Sequence, residues 1–277
     1  MTPTRPVLRW HGGKWLLAPW VIEHFPAHDV YVEPFGGAAS VLMRKPRSYA
    51  EVYNDLDAEA VNLFQVLRGP DAGRLVELCR LTPFARDGFV ESYEPTSDPV
   101  ERARRLVIRS FHGFGSNGHQ RLTGFRANSN RSGTTPAHDW INYPDNLAAV
   151  IGRLQGVVVE NRDAKQVMAA HDGPDTLHYV DPPYVPDTRD SGGDYAHELT
   201  HEQHGELLAF LLTLKGMVVL SGYPHPLYDN GLPGWMRRER VALADGAKKR
   251  TEVLWINPLA ADRLLAESRA PKQLALI

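Results

Sequence analysis

Short apolar runs recur along the chain and are typical of buried β-strands. They cover residues 30–32, 49–53, 157–161, 177–180 and 217–220. Stretches with helical spacing of apolar residues lie between them, at residues 56–68, 164–170 and 200–214. Strands that alternate with helices predict the α/β class, a mainly parallel sheet with helices on both faces. Residues 235–243 and 252–257 predict a final antiparallel pair, and the Ala- and Leu-rich tail predicts a peripheral helix or a frayed end.

This alternation is interrupted between residues 83 and 143. Helical patterns at residues 75–81 and 99–110 follow one another without a strand between them, and residues 111–140 are rich in Gly, Asn, Ser and Arg. A loop of that length inside a compact domain is usually functional or disordered. We therefore predict a catalytic domain made of residues 1–82 and 144–277, with residues 83–143 inserted as a mainly helical and loop subdomain.

Four residues directly after the strand at 177–180 carry the strongest chemical signal: Asp181, Pro182, Pro183 and Tyr184. The prolines fix two φ angles and remove two N–H donors, so the carbonyls of the segment can face a ligand. A carboxylate, carbonyl oxygens and a flat ring can together hold a planar base with an exocyclic amino group, which means adenine or cytosine. As an isolated string the same residues equally predict a simple turn.

A second segment, residues 33–40, connects the strand at 30–32 to an apolar helical stretch that begins at Val41. Glycine and other small residues at such a turn let a cofactor approach the backbone, and the helix start offers free N–H groups. The fingerprint G-x-G-x-x-G is absent, which argues against a dinucleotide. The segment predicts a ligand without a pyrophosphate, and Glu33, Phe35 and Gly37 are its candidate contacts.

Two aspartates at predicted strand ends are further candidates. Asp55 lies about twenty residues after the glycine segment, the position at which an acidic residue often binds ribose hydroxyls. Helix capping is the competing role, and Asp57 can fill it, so we favour ribose binding by Asp55. Asp163 can contact the adenine of a cofactor or cap the helix at 164–170, and the sequence leaves both roles open.

The order of three motifs resembles a known family, the S-adenosylmethionine-dependent DNA adenine methyltransferases of the GATC-methylating type. The likeness extends from Leu8 to about Asn257. It rests on residues 9–14 (Arg-Trp-His-Gly-Gly-Lys), on residues 33–37 and on residues 181–184. The resemblance implies a Rossmann-like methyltransferase sheet, S-adenosylmethionine as cofactor, and methyl transfer to the N6 amine of an adenine flipped out of double-stranded DNA.

Residue roles follow from the same resemblance. It implies that Trp10, Lys14, Asp55 and Asp181 contact the cofactor, and Gly13 belongs to the same N-terminal cluster. Trp10 can cover an apolar part of S-adenosylmethionine, and Lys14 can pair with its methionine carboxylate. Singly, these residues would more often be a core aromatic and a surface lysine. The insert at 83–143 occupies the place of the family's target-recognition region, but it does not match the GATC-reading stretch.

Charge is distributed unevenly, although the net charge is only −2. Residues 100–131 contain many cations and one acid, and a methyltransferase needs a single cationic face for DNA. Arg and Asn can also pair with base edges. The predicted DNA contacts are Arg109, His112, Asn117, Arg121, Arg126, Asn128 and Arg131, with Lys248 from a second basic cluster. A solvated helix or loop face is the competing interpretation.

Composition limits the function classes. A hydrophobic share of 43% and a charged share of 23% are ordinary for a globular protein. The chain has neither a membrane-length apolar run nor a signal pattern, so we expect a cytoplasmic protein. The single Cys79 excludes an internal disulfide framework and lies in an amphipathic stretch, where it predicts a buried small hydrophobe. It lacks the Pro-Cys setting needed for covalent methylation of cytosine carbon.

Three other functions have some support in the sequence. Methylation of the cytosine N4 amine fits the residues 181–184 equally well, and a catalytically inactive DNA-binding protein fits the fold. Residues 197–201 match the zinc hydrolase motif H-E-x-x-H. The predicted helix begins at Thr200, however, so His197 and His201 would not share one face, and we predict no metal. A separately encoded restriction enzyme is one candidate partner, and the sequence leaves its presence open.

Overall fold

A computed structural model describes residues 2–116, 122–128, 133–189, 196–243 and 249–269. Its described residues contain one seven-stranded sheet in the order β3-β2-β1-β4-β5-β7-β6. The strands are β1 (Val30–Glu33), β2 (Ala50–Asn54), β3 (Val157–Glu160), β4 (Thr176–Val180), β5 (Met217–Gly222), β6 (Met236–Leu243) and β7 (Lys249–Ile256). The first five are parallel, and β7 runs antiparallel between β5 and β6. The predicted α/β class and the final antiparallel pair are confirmed.

The helices cover both faces of the sheet. In chain order they are α1 (Ala18–Ile22), α2 (Ser40–Arg44), α3 (Ala58–Arg68), α4 (Ala72–Leu81), α5 (Arg86–Glu91), α6 (Pro99–His112), α7 (Pro136–Ile141), α8 (Tyr143–Leu154), α9 (Ala164–Ala170), α10 (His201–Leu211), α11 (Pro226–Gly231) and α12 (Pro258–Arg269).

Successive residues of a strand point to opposite faces of the sheet and belong to two separate hydrophobic cores. Tyr31 and Tyr53 pack with α3, α6, α8 and α12 on one face, while Val32 and Val52 pack with α9, α10 and α11 on the other. Burial on both faces explains why these strands are continuous apolar runs without polar alternation. Cys79 is buried in the first core, as predicted, and burial raises the pKa of its thiol to about 12.

Several predicted boundaries were wrong. Helix α3 begins at Ala58 instead of residue 56, because the Asp57 carboxylate accepts hydrogen bonds from the first-turn N–H groups of Glu59 and Ala60. Helix α10 ends at Leu211 instead of residue 214. Strand β5 ends at Gly222 instead of residue 220, because Ser221 and Gly222 pair with Leu254 and Val253 of β7. Pairing with β7 thus extends β5 beyond its apolar run.

The region at 83–143 is joined closely to the main fold. Helix α6 packs against α3, and its apolar side enters the same core as the sheet. The Trp140 indole N–H donates to the Thr82 carbonyl at 2.7 Å, and the Tyr143 hydroxyl donates to the Val7 carbonyl at 2.9 Å. The helices of this region thus pack directly against the rest of the fold. The boundaries of the insert stay a prediction.

Across the part of the chain that is described, no helix combines the length and the apolar character needed to span a membrane.

Candidate active site

A cavity of about 300 Å³ lies at the carboxyl ends of β1 and β4. The chain leaves these adjacent strands toward opposite edges of the sheet, and that is where open α/β sheets bind ligands. The cavity brings together every residue predicted to contact a cofactor: Trp10, Gly13, Lys14, Glu33, Phe35, Gly37, Asp55, Asp163 and Asp181. Pro182 and Pro183 line it as well, whereas Tyr184 does not.

The glycine segment is shaped by two close approaches. At Gly36 a Cβ atom would lie 2.2 Å from the Tyr53 ring, and at Gly37, where φ is +48°, it would lie 2.7 Å from the Trp10 indole nitrogen. Only glycine fits such positions without strain. The Tyr53 hydroxyl also donates to the Gly37 carbonyl at 2.8 Å. The tight turn therefore holds the Trp10 indole against the cavity wall.

Asp57 fills the helix-capping role, so ribose binding by Asp55 stays a prediction. Asp57 caps α3, whereas Asp55 accepts the Gly37 N–H at 2.7 Å and the Asp57 N–H at 2.8 Å. Burial raises the pKa of Asp55 to about 6. A carboxylate offers about four acceptor positions, so Asp55, which lines the cavity, has acceptor positions that these two bonds do not use. Asp163 caps α9 through the Gln166 N–H and also lines the cavity, so its contact with an adenine stays a prediction.

Glu33 is the most perturbed acid at the cavity. Its carboxyl is 2% exposed, and it accepts the Tyr31 hydroxyl at 2.6 Å and the Leu42 N–H at 2.9 Å. Burial raises its pKa to about 8, because the hydrogen bonds and the charge of Lys45 compensate only in part. At neutral pH Glu33 is therefore mainly protonated.

Asp181 is held from two sides. One carboxylate oxygen accepts the Ser221 hydroxyl at 2.7 Å, and the other pairs with the Lys14 ammonium at 2.9 Å. Lys14 is 6% exposed and also donates to the Gly12 carbonyl at 2.8 Å. Burial alone would lower the pKa of Lys14, but the charges of Asp181 and Glu252 outweigh it and raise the pKa. Lys14 thus pairs with a carboxylate of the protein, Asp181. It also lines the cavity, so its predicted pairing with the carboxylate of the cofactor stays a prediction.

Tyr184 is buried beside the cavity. Its hydroxyl donates to Glu252 at 2.7 Å, the Lys14 ammonium lies 4.7 Å from its ring centroid, and the Tyr223 ring meets it edge-on at 4.6 Å. Glu252 comes from β7 and is itself 8% exposed. Glu252 was not among the predicted site residues, because only the strand order brings residue 252 next to residue 184. Its position directly before the apolar run at residues 253–256 was the available signal.

Two of the predicted DNA contacts lie in packed surroundings. Arg109 donates to the Ser92 carbonyl, lies near Glu59 and covers the Tyr93 ring. His112 is 1% exposed among aromatic rings, and burial lowers its pKa to about 3. The neutral, enclosed His112 cannot serve as a surface cation, and the Arg109 guanidinium is already engaged. We therefore leave both out of the DNA surface proposed below.

The other predicted DNA contacts have different surroundings. Arg126 is half-buried and donates to the Phe111 carbonyl at 3.0 Å, while Asn128 is exposed. Acids also neutralise much of the cationic face expected on α6, since Arg102 pairs with Glu59 of α3 and Glu101 binds Arg104 and Arg105. Four predicted contacts lie outside the described residues: Asn117, Arg121, Arg131 and Lys248.

The H-E-x-x-H match does not form a metal-binding helix face. Thr200 caps α10 in a complete capping box, and His201 is the first helical residue. Another group, Asp187, His201 and His225, has possible ligand atoms within 4.8 Å of one another. His225 Nδ1, however, accepts the Leu227 N–H as the cap of α11. The proton of the neutral ring then sits on Nε2, which leaves this histidine without a free nitrogen for a metal.

Comparison with known proteins gives one family. A family model described as D12 class N6 adenine-specific DNA methyltransferase matches residues 10–226. The chain is 27% identical to the DNA adenine methylase of Haemophilus influenzae over 194 residues, 66% of this chain and 64% of that protein. It is 34% identical over 118 residues to the DNA adenine methylase of Serratia marcescens, 40% of this chain and 43% of that protein. The alignments thus span less than two thirds of these relatives.

Proposed function

The chain belongs to the family of D12 class N6 adenine-specific DNA methyltransferases, and from this premise we propose that it transfers a methyl group from S-adenosylmethionine to the N6 amine of adenine in double-stranded DNA. The observation that carries the proposal is the meeting of the glycine segment and Asp181 at one cavity. A binding site for the methyl donor and an acceptor for the reacting amine are thereby adjacent.

The charge of the cavity suits this cofactor. Asp55, Asp57, Asp163 and Asp181 line it together with the single ammonium of Lys14. Such a site favours a ligand with net positive charge and disfavours a pyrophosphate. S-adenosylmethionine has a sulfonium and an ammonium against one carboxylate, and when bound it supplies an electrophilic methyl group. We assign Asp55 to the ribose hydroxyls and Trp10 to the apolar part of the cofactor.

The reaction itself needs an activated amine. A flipped adenine costs a few kcal/mol to extrude, and its amino group then donates hydrogen bonds to Asp181 and to the Pro182 carbonyl. These bonds draw the nitrogen lone pair out of conjugation with the ring. A nitrogen–carbon bond forms as the methyl–sulfur bond breaks, and the amine afterwards loses a proton to solvent. Lys14 and Ser221 hold the Asp181 carboxylate in position, so positioning and electrostatics accelerate the transfer.

We also propose that residues 83–143 contribute to target recognition. The Gly113 carbonyl accepts a hydrogen bond from the Arg9 guanidinium, and the Ser110 hydroxyl bonds both the N–H and the carbonyl of Arg9. Arg9 directly precedes Trp10, so this region is anchored beside the cavity. Arg126 and Asn128 are its described candidates for DNA contacts. A partnership with a separately encoded restriction enzyme stays a prediction.

Cofactor binding is expected to release protons at pH 7. Glu33 has a pKa of about 8 in the free protein, and a cation in the adjacent cavity favours its charged form and lowers that pKa. Calorimetric titrations in buffers with different ionisation enthalpies measure the number of protons released. Glu33→Gln should abolish most of the release, and an equal release in both proteins would contradict the assignment.

The same shift sets a pH trend for the free protein. Because the folded pKa of Glu33, about 8, lies above the ordinary value of 4.5, its contribution to stability is complete below pH 4.5 and is lost as pH rises toward 8. Glu33→Gln should therefore show a smaller fall in the free energy of unfolding than the wild type over that interval. Urea unfolding at several pH values tests this.

Glu252 is expected to act as a positioning residue for Tyr184. Glu252→Ala removes a hydrogen bond to a charged acceptor, worth about 1.5–3 kcal/mol, so kcat should fall roughly 10- to 100-fold. Glu252→Gln keeps an acceptor for the Tyr184 hydroxyl and should retain more activity. Cofactor affinity should stay unchanged in both, since Glu252 does not line the cavity. Normal kcat in Glu252→Ala, or loss of cofactor affinity with normal kcat, would contradict this role.

The proposed activity is tested by mapping. Double-stranded DNA of mixed sequence is incubated with the protein and S-adenosylmethionine, and modified bases are located by single-molecule sequencing. We expect modified adenines within one recurring short sequence. Unmodified DNA would contradict the activity, and modification at every adenine would contradict target recognition.

A further inference from the structure

The β6–β7 hairpin places a group of arginines beside Tyr184. Residues directly opposite each other in an antiparallel pair lie on the same face of the sheet. In this hairpin Arg240 lies opposite Glu252, Arg238 opposite Leu254 and Ala242 opposite Arg250. The Glu252 carboxylate accepts the Tyr184 hydroxyl, so this face of the hairpin is the one turned toward the 181–184 segment.

Arg250 connects the same face to the site a second time. Its guanidinium lies 5.9 Å from the ring centroid of Tyr223, which in turn meets the Tyr184 ring edge-on. Arg238, Arg240 and Arg250 therefore lie on one face of the hairpin and are here called the hairpin arginines. Arg240 lies opposite Glu252, the partner of Tyr184, and Arg250 reaches Tyr184 through Tyr223. The two strands of the hairpin are the last strands at one edge of the sheet, so the hairpin arginines lie between Tyr184 and that edge.

The two faces of β6 differ in how their charges are used. On the opposite face, Arg237 pairs with both Asp229 and Glu239. Arg238 and Arg240 are exposed and form no ion pair with any residue in the described part of the chain. The competing interpretation is that these arginines only protect an edge strand from strand-to-strand aggregation. That role does not require the unpaired charges to gather on the face that carries Glu252.

We propose that the hairpin arginines bind backbone phosphates of the DNA that flanks the reacting adenine. The proposal rests on the proposed function. It adds a DNA-binding surface that β6 and β7 form beside Tyr184. Phosphate contacts of this kind fix the register of a duplex without reading its sequence. Arg238 and Arg240 provide exposed cations without an ion pair to the described residues, whereas the arginines of α6 are ion-paired.

The test compares two double variants with the same change in charge. Arg238→Ala/Arg240→Ala removes two hairpin arginines. Arg68→Ala/Lys215→Ala removes two exposed cations at other places, the end of α3 and the turn before β5. The affinity of each protein for a fluorescein-labelled, mixed-sequence duplex is measured by anisotropy over a series of salt concentrations, and S-adenosylmethionine affinity is measured on the same preparations.

For the hairpin variant we expect at least a tenfold loss of DNA affinity at low salt. The slope of log affinity against log salt should decrease by about 0.9 for each lost phosphate contact, hence by about 1.8. Cofactor affinity and the control variant should match the wild type. Arg238→Glu/Arg240→Glu should bind DNA more weakly still.

The outcomes separate the two proposals. If the hairpin and control variants bind DNA equally, with equal salt slopes, the hairpin surface is wrong while the proposed function stands. If the wild type itself shows no salt-dependent affinity for DNA, the proposed function fails instead.

Discussion

Asp181→Asn is expected to reduce methyl transfer by roughly 10²–10³-fold, the loss seen when one preorganised electrostatic group is removed from an active site. The amide has no charge to stabilise the developing charge on the amine. The amide also has only one acceptor oxygen, and the Lys14 ammonium, which now lies 2.9 Å from a carboxylate oxygen, competes for it with the reacting amine. Single-turnover rates on DNA at saturating cofactor measure the effect directly.

Two comparisons make this result specific. Asp181→Ala leaves the buried Lys14 without its partner, and an unpaired buried charge costs about 3–5 kcal/mol, so a fall in stability accompanies its loss of activity. Ser221→Ala removes only the hydroxyl that donates to Asp181 and should cost far less rate. A folded Asp181→Asn protein with a rate close to that of Ser221→Ala would exclude the assigned role of Asp181.

Asp55→Ala should weaken binding of S-adenosylmethionine by roughly 100-fold, because hydrogen bonds to a charged group contribute about 1.5–3 kcal/mol each. It removes the proposed ribose acceptor, and it also releases the Gly37 N–H that sets the glycine segment against Trp10. Isothermal calorimetry without DNA measures the affinity for S-adenosylmethionine alone.

The matched control for this prediction is Asp57→Ala. Asp57 lies two residues away and lines the same cavity, but its carboxylate is used as the cap of α3. Its loss should lower the free energy of unfolding by about 1 kcal/mol and leave cofactor affinity nearly intact. Equal losses of cofactor affinity in the two variants would show that the roles are not divided in this way.

The sequence was sufficient for features that depend on local pattern. Buried strands are apolar runs wherever both faces of a sheet are covered. Because carboxyl ends of parallel strands meet at one edge, motifs after β1, β2 and β4 could be expected at one site. The residues 10, 33, 55 and 181 indeed line one cavity. The Thr200 cap was also predictable, since its hydrogen bonds are made within one helical turn.

Features that depend on strand order and on distant partners were not predictable. Glu252 reaches Tyr184 only because β7 inserts between β5 and β6. Counting charges along residues 100–131 could not reveal that Glu59, from another helix, neutralises Arg102. Nor could it reveal that His112 is enclosed by Phe84 and Trp140 and therefore loses its proton. Each of these depends on packing between segments far apart in sequence.

The identity of the methylated nucleoside tests the central claim most directly. Double-stranded DNA is treated with the protein and S-adenosylmethionine bearing a labelled methyl group, digested to nucleosides and analysed by mass spectrometry, with Asp181→Asn as the control. The account predicts the label in N6-methyldeoxyadenosine and little label in the control. Label in N4-methyldeoxycytidine, or unlabelled DNA from a protein that binds the cofactor, would contradict it.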